Sequence, residues 1–146
     1  MITPVWDMPQ HVEAFVSLGL WGDLRGVGPC RAVGFADADG LIGGVLFHDY
    51  DPDAGVIELT SYFARHDWLT KARLREVFSF PFDGIGARLA VARIAETNTR
   101  ARRIWKALGA KETIIPEMHR PGEALCVFTL SSDDWHASQY MRTANG

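Results

Sequence analysis

The chain has 146 residues, of which 47% are hydrophobic and 23% charged, with a formal net charge of −3. That length suits one domain that buries about two-thirds of its unfolded surface without cross-links. No run approaches the ~20 apolar residues of a membrane span, so no membrane partner is expected.

The opening residues Met1 to Trp6 lack a basic region followed by an apolar run, and a cytoplasmic location is expected. Cys30 and Cys126 stand far apart without metal-ligand spacing. They read as small buried hydrophobes in a reducing compartment, with no metal implied. Charge is unevenly placed: Arg65 to Lys111 holds 11 Lys/Arg against 4 Asp/Glu, and the remainder holds 4 against 14. A locally basic segment in an acidic chain suits a small polyanionic ligand better than a nucleic-acid track, although solvated helix faces would explain part of the split.

In chain order, Val12, Phe15, Val16 and Leu20 fall at near-helical spacing within residues 8–21 and predict a helix. A flexible connection follows through Gly22 and Gly26 to Pro29. Cys30 to Ala36 and Leu41 to Asp49 read as strands around the turn at Asp37 to Gly40, and a second turn at Asp51 to Gly55 leads to a third strand, Val56 to Phe63. Three antiparallel strands in a meander are the simplest arrangement. Alternation puts Val56, Glu58, Thr60 and Tyr62 on one face and Ile57, Leu59, Ser61 and Phe63 on the other. Glu58 is then a carboxylate among apolar neighbours, and His48 falls nearly opposite it if the hairpin turns near Pro52 and Asp53.

After a loop from Arg65 to Thr70, the spacing of Leu74, Val77 and Phe78 predicts a helix that Pro81 ends. Residues 87–94 read as a buried strand that feeds directly into a second helix. There Ala101, Ile104, Trp105 and Leu108 share one face, Thr97 or Asn98 caps the start, and Gly109 closes the end. Lys111 to Pro116 and Glu123 to Leu130 predict a last antiparallel pair, separated by a loop over 117–122. Ser131 caps a short terminal helix containing Trp135, and residues 142–146 form a tail expected to be mobile. Trp135 and Tyr140 are expected to be exposed, where they would offer a contact for a homodimer.

The stretch from Ala95 to Ala110 carries a pattern. Asn98 is followed by Ala101 three residues on, by the aromatic Trp105 seven on and by Gly109 eleven on, all directly after a strand. In this it resembles the second half of the acyl-CoA N-acyltransferases of the GNAT superfamily. The resemblance covers most of Cys30 to Leu130. It implies one α/β domain over 1–146 with a mixed, mostly antiparallel sheet and helices on both faces, splayed between the Val56 to Phe63 strand and the strand ending at Ile94. It further implies acetyl-CoA as co-substrate and a small-molecule or peptide amine as acceptor.

The pantetheine arm of the cofactor would then enter the gap along main-chain groups of Leu59, Ser61 and Phe63. Its pyrophosphate would rest on amides of Leu69, Thr70, Lys71, Ala72 and Arg73, with charge from Arg65, Lys71 and Arg73. The family writes glycines in this loop and this chain has none; an ordinary helix start with a basic surface is the alternative. Asn98 caps its helix or bonds the cofactor, Arg100 and Arg103 lie on the phosphate side, and Trp105 stands where many members carry a proton-donating Tyr. An indole N–H has no useful acidity, so Trp105 is assigned to packing beside the thioester.

Glu58 is the first candidate for general base, since a carboxylate partly withdrawn from water is the better proton acceptor. His48 is its partner, with a structural cross-strand contact as the competing reading for both. Tyr62 and His119 are candidates for the final proton. Trp21 and Leu24 would lie over the acceptor pocket or in the core, and Asp23 and Glu117 hint at a cationic amine. The first functional reading is an N-acetyltransferase. Its rivals are an acyl-CoA-binding module without turnover and an interaction domain that has lost the cofactor.

Overall fold

A computed structural model describes residues 1–141 of the chain, the side chain of Met141 excepted. The tail from Arg142 to Gly146, expected to be mobile, lies outside the described residues. A short strand, β1 (Thr3–Val5), precedes helix α1 (Pro9–Trp21). Pro9 opens the helix where no amide hydrogen is needed, and Gly22, at φ 75°, closes it by donating its N–H to Leu18 O at 3.0 Å. The meander follows as β2 (Cys30–Asp37), β3 (Gly40–Asp51) and β4 (Val56–Phe63). Helix α2 (Lys71–Ser79) then crosses over to β5 (Leu89–Ala95), α3 (Thr99–Ala107) follows, and the hairpin β6 (Lys111–Arg120) and β7 (Glu123–Ser131) leads into α4 (Ser132–Ala137).

The seven strands form one sheet in the order β1-β2-β3-β4-β5-β7-β6. Among the described residues only β4 and β5 run parallel, as the α2 crossover requires, and the other pairs are antiparallel. One face is covered by α1, whose Val12 and Val16 pack on Ala32 and Leu46. The other carries the larger core, in which Phe35, Phe47, Phe78, Trp105, Phe128 and Trp135 are all buried beneath the remaining helices. No helix among the described residues is long and apolar enough to cross a membrane.

Three expectations are corrected. Pro81 does not end its helix: α2 passes into a π-helical segment, Phe80–Ile85, which Gly86 closes at φ 83°. Proline is tolerated because it sits in the first turn of the new segment, where its missing N–H costs nothing. The loop placed over 117–122 is largely strand, since β6 runs to Arg120 and the turn shrinks to Pro121 and Gly122. Glu117 absorbs the bulge at φ 64°, with its carboxylate accepting the Gly122 N–H at 2.6 Å. Trp135 is fully buried, 5.0 Å from Phe78, and Tyr140 stacks on it. The exposed aromatic pair invoked for a homodimer is therefore absent.

Candidate active site

The parallel pair is short. β4 and β5 are in register only at Val56 with Leu89, Ile57 with Ala90 and Glu58 with Val91. Beyond Glu58, β4 stays zipped to β3 as far as Phe63 and β5 stays zipped to β7 as far as Ala95, so the two halves of the sheet diverge from each other. Main-chain groups of β4 that face the gap have no strand opposite them. A cavity of about 230 Å³ fills the fork, lined by Leu59, Ser61, Tyr62 and Phe63 of β4, by Asn98, Ala101 and Trp105 of the α3 region, and by Leu20 of α1.

The α3 side is built as its spacing predicts. Asn98 is the cap, its Oδ1 accepting the Ala101 N–H at 3.2 Å. Trp105 is buried edge-on to Phe78, 5.4 Å between centroids, and presents its remaining surface to the cavity. Arg102 and Lys106 turn away to Glu112, at 2.8 Å and 3.1 Å. Arg102 first, with Lys106, holds the Glu112 carboxyl down to about 2. Arg100 lines the fork instead, and Arg103 lines a second hollow shared with Leu69, Thr70 and Lys71 at the start of α2.

The glycine-free loop before α2 is shaped by side chains. Arg65 binds Asp37 across the sheet at 2.6 Å and Asp67 at 3.0 Å. Arg73 donates to Asp67 O, Trp68 O and Ile2 O. Trp68 is buried and stacks on Phe63, 3.8 Å between centroids. Both arginines that were to supply charge are thus engaged in holding the loop. Of the five amides named there, Leu69 N–H bonds His66 O and Arg73 N–H bonds the capping Thr70 Oγ1. Among the described residues, the amides of Lys71 and Ala72 have no protein partner, and Lys71, Arg100 and Arg103 are the cations left near them.

His48 and Glu58 are cross-strand partners, as the hairpin reading placed them. One polar atom from each of His48, Asp49 and Glu58 lies within 4.8 Å of the others. His48 and Glu58 do not bond each other directly. The Glu58 carboxylate lies 3.5 Å from Arg93 Nε, while the His48 ring bonds Asp49 and Thr60. Neither His48 nor Glu58 lines the fork cavity, whereas Tyr62 does. His119 sits at the far hairpin, 3.8 Å from Glu123, away from the fork. Asp23 is held by Arg25 and Glu117 by its own turn, so neither carboxylate is free for an amine. Leu24 is 69% exposed rather than packed in the core, and Trp21 lies under the Arg25 guanidinium. His66 and Trp68 line the cavity, and Asp49 and Thr60 bond His48 beyond its lining, without having been singled out by sequence; an aromatic residue within a polar loop, Trp68, was the one available signal.

No model of a known protein family matches the sequence, and no curated protein matches it either. Solved structures do match. The spermidine/spermine N-acetyltransferase SpeG from Vibrio cholerae superposes with a TM-score of 0.73 at 10% identity, covering 93% of this chain and 95% of that one. An N-acetyltransferase from Staphylococcus aureus Mu50 gives 0.69 at 12% identity over 90% and 99% of the two chains. The chain has the GNAT fold. A further GNAT-fold structure, assigned as an acetyltransferase, gives 0.64 at 15% identity, and there the chain spans only 62% of the other protein's length while 77% of its own is covered. At such identities the likeness is one of fold alone.

Proposed function

We propose that the chain is an N-acetyltransferase that moves an acetyl group from acetyl-CoA to a primary amine. The observation that carries this reading is the fork: a parallel pair that separates after three residue pairs and leaves an apolar cavity between β4 and α3. A narrow arm bearing amides fits such a gap, because the unpaired main-chain groups around Leu59, Ser61 and Phe63 offer it a strand's hydrogen bonds. The Lys71 and Ala72 amides, with Lys71, Arg100 and Arg103 nearby, suit phosphates at the start of α2. Asn98 and Trp105 then flank the thioester end. Holding amine and thioester together supplies roughly 7 to 11 kcal/mol of the barrier, against about 10²- to 10⁴-fold for acid–base assistance. The larger contribution does not need a tyrosine at position 105. A cytoplasmic setting stays part of the proposal, on two cysteines that are both free thiols.

Calorimetric titration with acetyl-CoA tests the reading directly, followed by thiol release with a panel of primary amines. Saturable binding and amine-dependent release are expected; absence of both overturns it. The second reading, an acyl-CoA-binding module without turnover, is favoured by the indole at position 105 and by the engaged loop arginines. Binding without thiol release from any amine would select it.

A further inference from the structure

We propose that Thr60, His48 and Asp49 form a proton relay that serves this transfer, an inference that rests on the acetyltransferase reading above. His48 is 5% exposed, yet both ring nitrogens are engaged: Nδ1 lies 2.5 Å from Asp49 Oδ2 and Nε2 lies 2.8 Å from Thr60 Oγ1. An ionised carboxylate only accepts, so the proton sits on Nδ1. In the neutral ring the lone pair of Nε2 then faces Thr60, whose hydroxyl donates to it. A hydroxyl bonded to an imidazole that a carboxylate orients is the arrangement by which a weak proton acceptor becomes a useful one.

The backbone is bent to make this chain. Successive strand residues point to opposite faces, so Asp49 would ordinarily face away from His48. The β3–β4 ladder slips between His48 and Asp51, and Asp49 takes φ 52°, a left-handed conformation uncommon outside glycine. That slip folds the Asp49 carboxylate back onto its neighbour's ring. Thr60 stands two residues beyond the last β4–β5 pair, between the cavity-lining Leu59 and Ser61 and on the same face as Tyr62. The groups facing His48 are Asp49, Glu58 and Thr60, with Cys30 as its partner on β2, Glu13 beside Cys30, and Arg93 behind Glu58. Glu58 is the member of this set that faces a guanidinium; Thr60 lies outside the cavity lining but on the β4 face of Tyr62, which does line it, and its hydroxyl is the relay's outlet.

In the step proposed, the amine nitrogen attacks the thioester carbonyl, the N–C bond forms, and the C–S bond breaks to release the CoA thiolate. The proton of the attacking nitrogen passes to Thr60 Oγ1 while the Thr60 proton passes to His48 Nε2. The imidazolium, stabilised by Asp49, then returns a proton to the thiolate through solvent. Thr60 is the catalytic residue; His48 and Asp49 are positioning residues that act through it.

The test compares wild type with Thr60→Val, Thr60→Ser and Asp49→Asn, using acetyl-CoA with methylamine, benzylamine and spermidine as probe acceptors. Asn tolerates the left-handed conformation at position 49, so that variant keeps the backbone and loses only the carboxylate. Thr60→Val is expected to lower kcat about 10²-fold or more with the best of the three amines, with acetyl-CoA affinity unchanged and a modest fall in melting temperature from the unpartnered His48 Nε2. Thr60→Ser is expected to keep most of the rate and Asp49→Asn to lose part of it. The relay is overturned if Thr60→Val releases thiol as fast as wild type with every amine, including the case in which neither releases any. Should Thr60→Val fail to fold, an undiminished kcat in Asp49→Asn overturns it instead. A wild type that neither binds acetyl-CoA nor turns over sinks the transferase reading as well; an active wild type matched by an equally active Thr60→Val sinks the relay alone.

Discussion

A methyl group added at Gly19 would sit 2.2 Å from Tyr62 Cδ2, so α1 can rest on β4 only with hydrogen at that place. The Tyr62 ring is held there, 6.0 Å from Phe15, and so keeps its place in the wall of the fork. Gly19→Ala is expected to cost about 1–3 kcal/mol through overpacking, a fall of roughly 2–4 °C in melting temperature per kcal/mol for a chain of this size; a thermal melt checks it. Asn98 caps α3, and substitution can separate that role from the cofactor contact proposed for it. Asp caps a helix as well as Asn does, but its charge opposes a phosphate-bearing ligand. Asn98→Asp should therefore keep the melting temperature and weaken acetyl-CoA binding, whereas Asn98→Ala should lower both, by about 1 kcal/mol in stability. Equal affinity in Asn98→Asp and wild type, measured by calorimetry, would confine Asn98 to capping. Asn98 and Trp105 were legible at this scale because a helical period fixes which side chains share a face. Asp49 was not, because its contact with His48 depends on a ladder slip that leaves no mark in the alternation of the strand. Trp135 misled for a related reason: one apolar residue between Asp134 and His136 has no period to say which way it points.

Elements with several turns or an alternating face fell where their residues predicted, as β4 and α3 show, because each carries enough repeats to define a buried side. β1 was missed, since three residues with no core face define none. The π-helical segment was missed because Pro81 forbids only the hydrogen bond of the old helix and leaves a wider turn open. That segment is tied to α4 by His136, whose Nε2 lies 2.8 Å from Asp83 Oδ1 while Nδ1 lies 2.7 Å from Ser132 O. The Asp83 carboxylate, helped by the Ser132 carbonyl, raises the His136 imidazole above its ordinary value of 6.5. A group raised on folding binds its proton more tightly in the native chain. Its contribution to stability is thus fully present below about pH 6.5 and fades as pH climbs through the native value. Wild type should lose melting temperature relative to Asp83→Asn as pH is raised from 5.5 to 8.5. If the difference between the two proteins stays constant across that range, the His136–Asp83 pair does not act as this linkage requires.

At the scale of the whole molecule, the sheet is two zipped halves joined by three residue pairs, and the joint is where ligand would act. β4 belongs to the half built with β2 and β3, β5 to the half built with β7 and β6, and α1 and α3 approach the gap from opposite faces. Basic residues crowd the α3 half of the chain, but the structure divides them into those that brace it, Arg65, Arg73, Arg88 and Arg102, and those left beside the fork. The sequence total could not make that division, because it depends on which carbonyls and carboxylates lie within reach in the folded chain. A ligand seated in the fork bridges both halves, so it should stabilise them together: at a hundredfold excess over its Kd the gain is about 2.7 kcal/mol, or roughly 5–11 °C in melting temperature at the sensitivity for this size. Amide exchange would show where that gain arises. In the free protein the N–H groups of residues 59–63 that face the gap should exchange quickly, while those of residues 56–58, paired to β5, should be protected. Acetyl-CoA should slow the first set to near the rate of the second and leave the second little changed. Uniform slowing over the whole sheet, with no excess at residues 59–63, would place the ligand somewhere other than between the two strands.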